Sequence, residues 1–394
     1  MCRACGEPSG EEELLPRILR ISGKETELTE RGPPFRAEHV GSLLRPRALK
    51  DANAAHRAGT LSDADYENVL AGAVGQAVRM QEGLGLKSVT DGEFDRSSWF
   101  GFFFERMSGF RLEPAAFKFR DEHGASFEWP TCVACERIHR HRPITTNEFL
   151  RLRRLTKATP KITMPSPTAF HFFRFHAAAD VAVYGDMSLY WDDLVEVYRN
   201  ELADLARDGC TYVQLDEVPL AMLCDPAIRA QVSDLGADPN ALLDTYVTTF
   251  KRILAGRPSG MTVGMHLCRG NFRSRWMASG GYEPVAERLF NDVPVDAFFL
   301  EYDTARAGDF APLRFVPKDR HVVLGLISSK TPVLETRDAL RRRIDDAARH
   351  VPMDRLALSP QCGFASVAGG NSLTDAEQTA KLALVVEVAK AVWG

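Results

Sequence analysis

The chain has 394 residues, 45% of them hydrophobic, enough to bury one large core or two smaller ones. Lys and Arg number 49 against 53 Asp and Glu, and the resulting net charge of −4 argues against nucleic acid or another polyanion as partner. No run of about 18 apolar residues exists, so no membrane-spanning helix is expected, and eight cysteines in so long a chain do not make a disulfide scaffold. A reducing, cytoplasmic setting follows as the expectation.

Residues 1–34 are acidic, lack the apolar centre of a signal peptide, and read as a loosely ordered, flexible extension. From Phe35 onward, short β-rich runs alternate with amphipathic stretches. The strand candidates are FRAEHVGS (35–42), KSVTDGEF (87–94), KITMPSP (161–167), YVQLDE (212–217), MTVGMHLC (261–268), AFFLEYD (297–303), HVVLGLI (321–327) and RLALSPQC (355–362). Helical periodicity, with apolar residues three and four apart, covers 62–83, 189–207, 240–254, 335–350 and 375–392. Eight strands alternating with helices predict a (β/α)₈ TIM barrel over 35–394 as a single catalytic domain. An insertion after strand 2, at about 101–158, mixes aromatic, Arg and Pro residues and is expected to cap one end of the barrel. The basic run at 151–157 reads as a decorated helix face.

In such barrels active sites lie at the carboxyl ends of the strands. The polar residues of this chain gather there: Glu38, His39 and Ser42; Asp91 and Glu93; Ser166; Asp216 and Glu217; His266 and Cys268; Glu301 and Asp303; Ser328 and Ser329; and Cys362. His266 and Cys268, two apart on a strand, project from one face. With Glu301 and Cys362 from later strand ends they make a donor set suited to tetrahedral Zn²⁺. The competing reading is a hydrogen-bonded core histidine with cysteines as small apolar fillers. Two thiolate ligands would make the zinc a poor Lewis acid, and a thiol of ordinary pKa about 8.5 would bind it as a nucleophilic thiolate. Alkyl transfer to a thiol is the chemistry that fits, with Glu301 as the labile arm. Two further pairs, Cys2-x-x-Cys5 and Cys132-x-x-Cys135 with His139 and His141 following, read as incidental thiols, against the alternative of a second metal site.

The segments EHVGSLLRP, TDGEF, QLDE, HLCRGNF, FLEYD and LSPQCGF resemble the catalytic, carboxyl-terminal half of cobalamin-independent methionine synthase, and most closely its stand-alone single-barrel relatives. The resemblance covers about residues 35–394. It implies zinc ligation by His266, Cys268, Glu301 and Cys362, and binding of the homocysteine carboxylate at Gly41 and Ser42. It places Glu93 and Asp216 on the substrate amino group. It further implies methyl transfer to homocysteine to give methionine, as in 5-methyltetrahydropteroyltriglutamate–homocysteine methyltransferase, with a methylated folate as donor. Two departures stand out. The chain has no room for the amino-terminal barrel of the full-length synthase. Ser328 occupies the position of the family's proton-donating His, and an ordinary hydroxyl is a poor general acid at neutral pH. The runner-up is alkyl transfer to another thiol, as in epoxyalkane:coenzyme M transferases, whose sulfonated substrate calls for a basic pocket. A lyase resembling uroporphyrinogen decarboxylase would not need His266, Cys268 and Cys362, and a non-catalytic zinc role would leave no exchangeable ligand.

Overall fold

Every strand expected from residue 161 onward is present, and each runs parallel to the next. The computed structural model describes residues 32–120 and 126–394; Cys2, Cys5 and nearly all of the extension lie outside them. In chain order the strands are Ser88–Val89 (β1), Met107–Pro114 (β2), Phe119–Arg120 (β3), Ser126–Phe127 (β4), Pro130–Arg140 (β5), Thr159–Pro160 (β6), Ile162–Pro165 (β7), Tyr212–Glu217 (β8), Thr262–Leu267 (β9), Ala297–Glu301 (β10), His321–Ile327 (β11) and Leu356–Pro360 (β12). Strands β7 to β12 form one six-stranded parallel sheet in sequence order. Each is buried on both faces, which is why it reads as an apolar run.

The remaining circumference is closed differently from the sequence expectation. The 87–94 run yields only β1, which pairs in parallel with β6. Beyond Val89 the chain leaves the ladder because Gly92 (φ 73°) and Glu93 (φ 59°) take left-handed conformations incompatible with an extended strand. The 35–42 run contributes a single parallel bridge, Ala37 to Leu358, instead of a strand. Between this run and β1 the barrel is closed mostly by side chains. Ser88 Oγ donates to Glu38 Oε2 at 2.8 Å and Thr90 Oγ1 donates to the Gly41 carbonyl at 2.6 Å. These buried hydroxyls and carboxylates must find partners, and they find them across the gap.

Inside the barrel, Tyr212, Ala297, Phe299, Val323 and Ala357 pack as one cluster. Above it lies a polar layer in which Tyr212 Oη donates to Glu38 Oε1 at 3.0 Å and Lys161 Nζ stands 3.2 Å from Glu38 Oε2. The helices lie outside, and their bounds follow the local signals. Asp63–Leu84 starts on Ser62, whose hydroxyl accepts the Asp65 N–H, and Asp375–Trp393 starts on a capping box of Thr374 and Glu377. Helix 335–350 is shorter than its periodicity, Arg337–Ala347, because Thr336 caps it. None of the described helices is long and apolar enough to cross a membrane.

The segment 101–158 holds an antiparallel pair, β2 with β5, a small pair, β3 with β4, and the helix Thr146–Leu155. Phe119 of β3 packs against Phe272 and Trp129, with ring centroids 5.1 and 5.7 Å apart, and so reaches the carboxyl end of β9. Cys132 is buried on β5, and burial pushes its thiol up to about 12, as suits an apolar filler.

Candidate metal centre

Strands β8, β9 and β10 and the turn after β12 each deliver one polar side chain to the same end of the barrel. His266 lies near the end of β9, in register with Asp216 on β8 and Phe299 on β10. Cys268 follows two residues later and Cys362 two residues beyond the end of β12. The ligand atoms of His266, Cys268 and Cys362 all lie within 4.8 Å of one another, and all three residues are buried.

Their protonation is interdependent. The Cys268 thiol beside it, and then the His266 imidazole, hold the Cys362 thiol well below its ordinary range despite burial. The Cys268 thiol is pushed well above its ordinary range by Cys362 and by burial. Burial lowers the His266 pKa, but Cys362, Asp216 and Glu301 outweigh it and the net shift is upward. The cluster thus attracts positive charge. Both ring nitrogens of His266 lack a hydrogen-bond partner, although buried imidazole nitrogens rarely go unpaired. Two sulfurs and an unsatisfied imidazole, within reach of a single cation, are the donor set that suits Zn²⁺.

Glu301 is not part of this group. It is fully buried at the end of β10, where its Oε2 accepts the Arg269 backbone N–H at 2.7 Å and its Oε1 accepts from Arg306 Nη2 at 2.6 Å. Lys330 Nζ stands 3.9 Å from the same Oε1. Burial would raise its pKa, but Lys330, Arg269 and Arg306 together bring it down to about 2.

A small pocket of about 30 Å³ opens over the sulfur cluster, with Ser42, Asp216, His266, Cys268 and Cys362 in its walls beside Trp99 and Phe119. Asp216 accepts from Gln214 Nε2 at 2.7 Å; burial, with Glu93 and Cys362 nearby, raises its pKa to about 7. Gly41 and Glu93 lie close together. A Cβ at Gly41, where φ is 152°, would come within 3.0 Å of Glu93 Oε1 and 2.7 Å of the Thr163 methyl. Glu93 is held by Thr163 Oγ1, which donates to it at 2.8 Å, and by Arg96 at 3.6 Å. Ser42 Oγ accepts the Ala365 N–H at 3.3 Å and packs against Gly363, joining the first loop to the Cys362 turn. Ser328 lies beside Asp303 and Lys330, its backbone N–H donating to Glu335 at 2.8 Å.

The sequence reading missed Arg306, Lys330, Asn271 and the aromatic walls. Lys330 and Asn271 sit inside segments already singled out, ISSK and HLCRGNF, and Asn271 Nδ2 ties the β9 loop to the Gly363 carbonyl at 2.9 Å. Arg306 carried no signal, since it lies in an irregular turn five residues past Glu301.

With this geometry in hand, comparisons with known proteins are specific. A family model described as the catalytic domain of cobalamin-independent synthase matches residues 35–391. The chain is 40% identical over 386 residues to the uncharacterized protein YxjH of Bacillus subtilis, covering 96% of this chain and 100% of that protein. It is 25% identical over 363 residues to a 5-methyltetrahydropteroyltriglutamate–homocysteine methyltransferase of Vibrio harveyi, covering 88% of this chain but only 44% of that longer protein. Among solved structures, the putative vitamin-B12 independent methionine synthase of Listeria monocytogenes superimposes with a TM-score of 0.71 at 31% identity, covering 92% of this chain and 98% of that one. A B12-independent methionine synthase of Shewanella, solved in complex with selenomethionine, has the same fold with a TM-score of 0.67 at 18% identity, covering 91% and 97%. Barrel and sequence segments agree: the chain belongs to the cobalamin-independent methionine synthase family and carries that family's catalytic domain.

Proposed function

We propose that the protein is a zinc-dependent methyltransferase that alkylates the thiol of homocysteine to give methionine. The observation that carries this reading is the His266–Cys268–Cys362 cluster, whose donor atoms lie within 4.8 Å of one another in a pocket walled by both aromatic and polar side chains. These residues would hold the ion, with Glu301 as the exchangeable fourth ligand. A zinc ion there lowers the pKa of an incoming thiol so that it binds as a thiolate.

The remaining residues receive the amino-acid end of the substrate. Asp216, in the pocket wall, loses solvation on burial and regains stability when an α-ammonium arrives. Glu93 adds a second carboxylate, and the Gly41–Ser42 turn offers backbone N–H groups to the substrate carboxylate. Trp99 and Phe119 exclude water from the reacting sulfur.

A folate nitrogen leaves only once protonated and Ser328 is a poor general acid, so with a methylated folate as donor the proton comes from another group. Methylated folate is the first donor to test. A sulfonated thiol, the rival substrate, fits poorly against the Asp216 carboxylate in the wall. The reading places the enzyme in the cytoplasm, where its thiols stay reduced.

The test is an assay of zinc-loaded protein with homocysteine against methyltetrahydrofolates carrying one or several glutamates, methylcobalamin, sulfonium compounds and epoxides. Methionine formation that disappears on metal removal and returns with zinc is expected. Full activity in metal-depleted protein would reject the assignment.

A further inference from the structure

The first loop of the barrel is not held by a strand ladder. Its one β-bridge among the described residues joins Ala37 to Leu358, and the carbonyls that follow, those of His39 and Val40, are taken up by side chains. Lys161, buried just ahead of β7, donates to the His39 carbonyl, to Glu38 Oε2 at 3.2 Å and to Gln214 Oε1 at 3.2 Å. Gln214 is fully buried on β8, and its Nε2 donates to the Val40 carbonyl at 2.7 Å and to Asp216 Oδ1 at 2.7 Å. Every hydrogen of the ammonium and of the amide thus meets an acceptor. The amide has only one way round, with Oε1 toward the cation and Nε2 toward a carbonyl and a carboxylate.

We propose that Gln214 is a positioning residue for the amino-acid end of the substrate: its amide, oriented by Lys161, sets the spacing between the Asp216 carboxylate and the turn at Gly41 and Ser42. The proposal rests on the homocysteine reading above and gives a role to a residue that reading leaves out. Its geometry follows from the strand. Tyr212, Gln214 and Asp216 alternate along β8, so all three project from one face, into the barrel. Tyr212 reaches Glu38, Asp216 lies in the pocket wall, and Gln214 stands between them without lining the pocket. Gln214 holds Asp216 by Oδ1, and Oδ2 has no hydrogen-bond partner among the described residues, which leaves it for an incoming ammonium. Val40, which takes the other N–H, is also in the pocket wall, one residue before Gly41. Both receiving elements are therefore tied to the same nitrogen, and a substrate carrying an ammonium and a carboxylate on one carbon meets them at a preset spacing.

The experiment is calorimetric binding of two thiols to the full, zinc-loaded chain, and it needs no methyl donor. The thiols are L-homocysteine and 4-mercaptobutyrate, which lacks only the amino group and so does not sense the spacing. Gln214→Met is close in size but removes the bond to Asp216. It should weaken homocysteine binding by about threefold or more and 4-mercaptobutyrate binding by less than about threefold, with zinc content unchanged. General damage to the fold would weaken both thiols alike. Gln214→Asn keeps an amide but is one methylene too short to span both acceptors. It should show the same selective loss, and it covers the case in which Met at this buried position does not fold. In an Asp216→Asn background, Gln214→Met should cost less than about threefold more, because the two residues act as one unit. Equal weakening of both thiols by the Gln214 variants, or full additivity with Asp216→Asn, overturns the proposal. If the native protein does not bind homocysteine, or Asp216→Asn binds it as tightly as the native protein, the homocysteine reading falls and the proposal with it. If Asp216→Asn weakens binding while both Gln214 variants bind as the native protein does, only the proposal is lost.

Discussion

Asp216 and His266 stand opposite each other in register on adjacent parallel strands, so the carboxylate and the imidazole share one mouth of the barrel. The pairing divides labour: His266 faces the sulfurs of Cys268 and Cys362, and Asp216 faces the pocket. Asp216→Asn should therefore leave zinc content unchanged and raise the KM for homocysteine by about tenfold to a hundredfold, the worth of one charge-assisted hydrogen bond. Steady-state kinetics with metal analysis checks this. An unchanged KM would remove Asp216 from the binding site.

Cys362→Ala takes one of two sulfurs from the cluster. Zinc affinity should fall by more than about a hundredfold, beyond what loss of an outer-shell partner costs, and methyl transfer should go with it. Chelator competition and a single-turnover assay measure the two effects. Zinc retained with native affinity would mean that Cys362 is only a core thiol.

Two glycines separate close packing from open space. At Gly41 a side chain would meet Thr163 and Glu93 in a backbone conformation that favours glycine. Gly41→Ala should cost about 1–3 kcal/mol and impair substrate binding. Gly72, inside the helix Asp63–Leu84, has nothing within 4 Å of an added Cβ. There Gly72→Ala should stabilise by about 0.5–1 kcal/mol. Chemical denaturation of both variants reads the difference, and equal effects would contradict the geometry.

His171 offers a pH test remote from the metal cluster. Burial, with a small contribution from His176, lowers its pKa to about 3, and its Nδ1 pairs with Tyr246 Oη at 2.9 Å. The folded-state value lies below the unfolded one, so its stabilising contribution is complete above about pH 6.5. It is lost as pH falls from there toward 3, by at most about 1.4 kcal/mol per unit. His171→Phe should flatten the stability profile across that window. An identical acid slope in the variant would show that His171 is not the group responsible.

Much of the barrel was legible because its evidence is local. Strands β7 to β12 are buried on both faces and read as apolar runs ending in polar residues, and the helices carry their own caps. Runs 35–42 and 87–94 have similar β-rich composition but form a bridge and a two-residue strand. Composition could not distinguish them, because their fate depends on left-handed backbone at Gly92 and Glu93 and on hydroxyl–carboxylate bonds to residues some fifty positions away.

The candidate site divides along the same line. The order and type of its donors, His266, Cys268, Glu301 and Cys362, are set by the chain itself, since each marks the end of an apolar strand. Which of them meet is a tertiary decision. Three converge because the barrel brings the end of β9 and the turn after β12, with β10 and β11 between them in the sheet, to one mouth, while Glu301 turns to Arg306 and Lys330, cations that arrive from separate turns. Ion pairing acts through space between groups whose proximity exists only once the chain has folded, so no periodicity along the sequence records it.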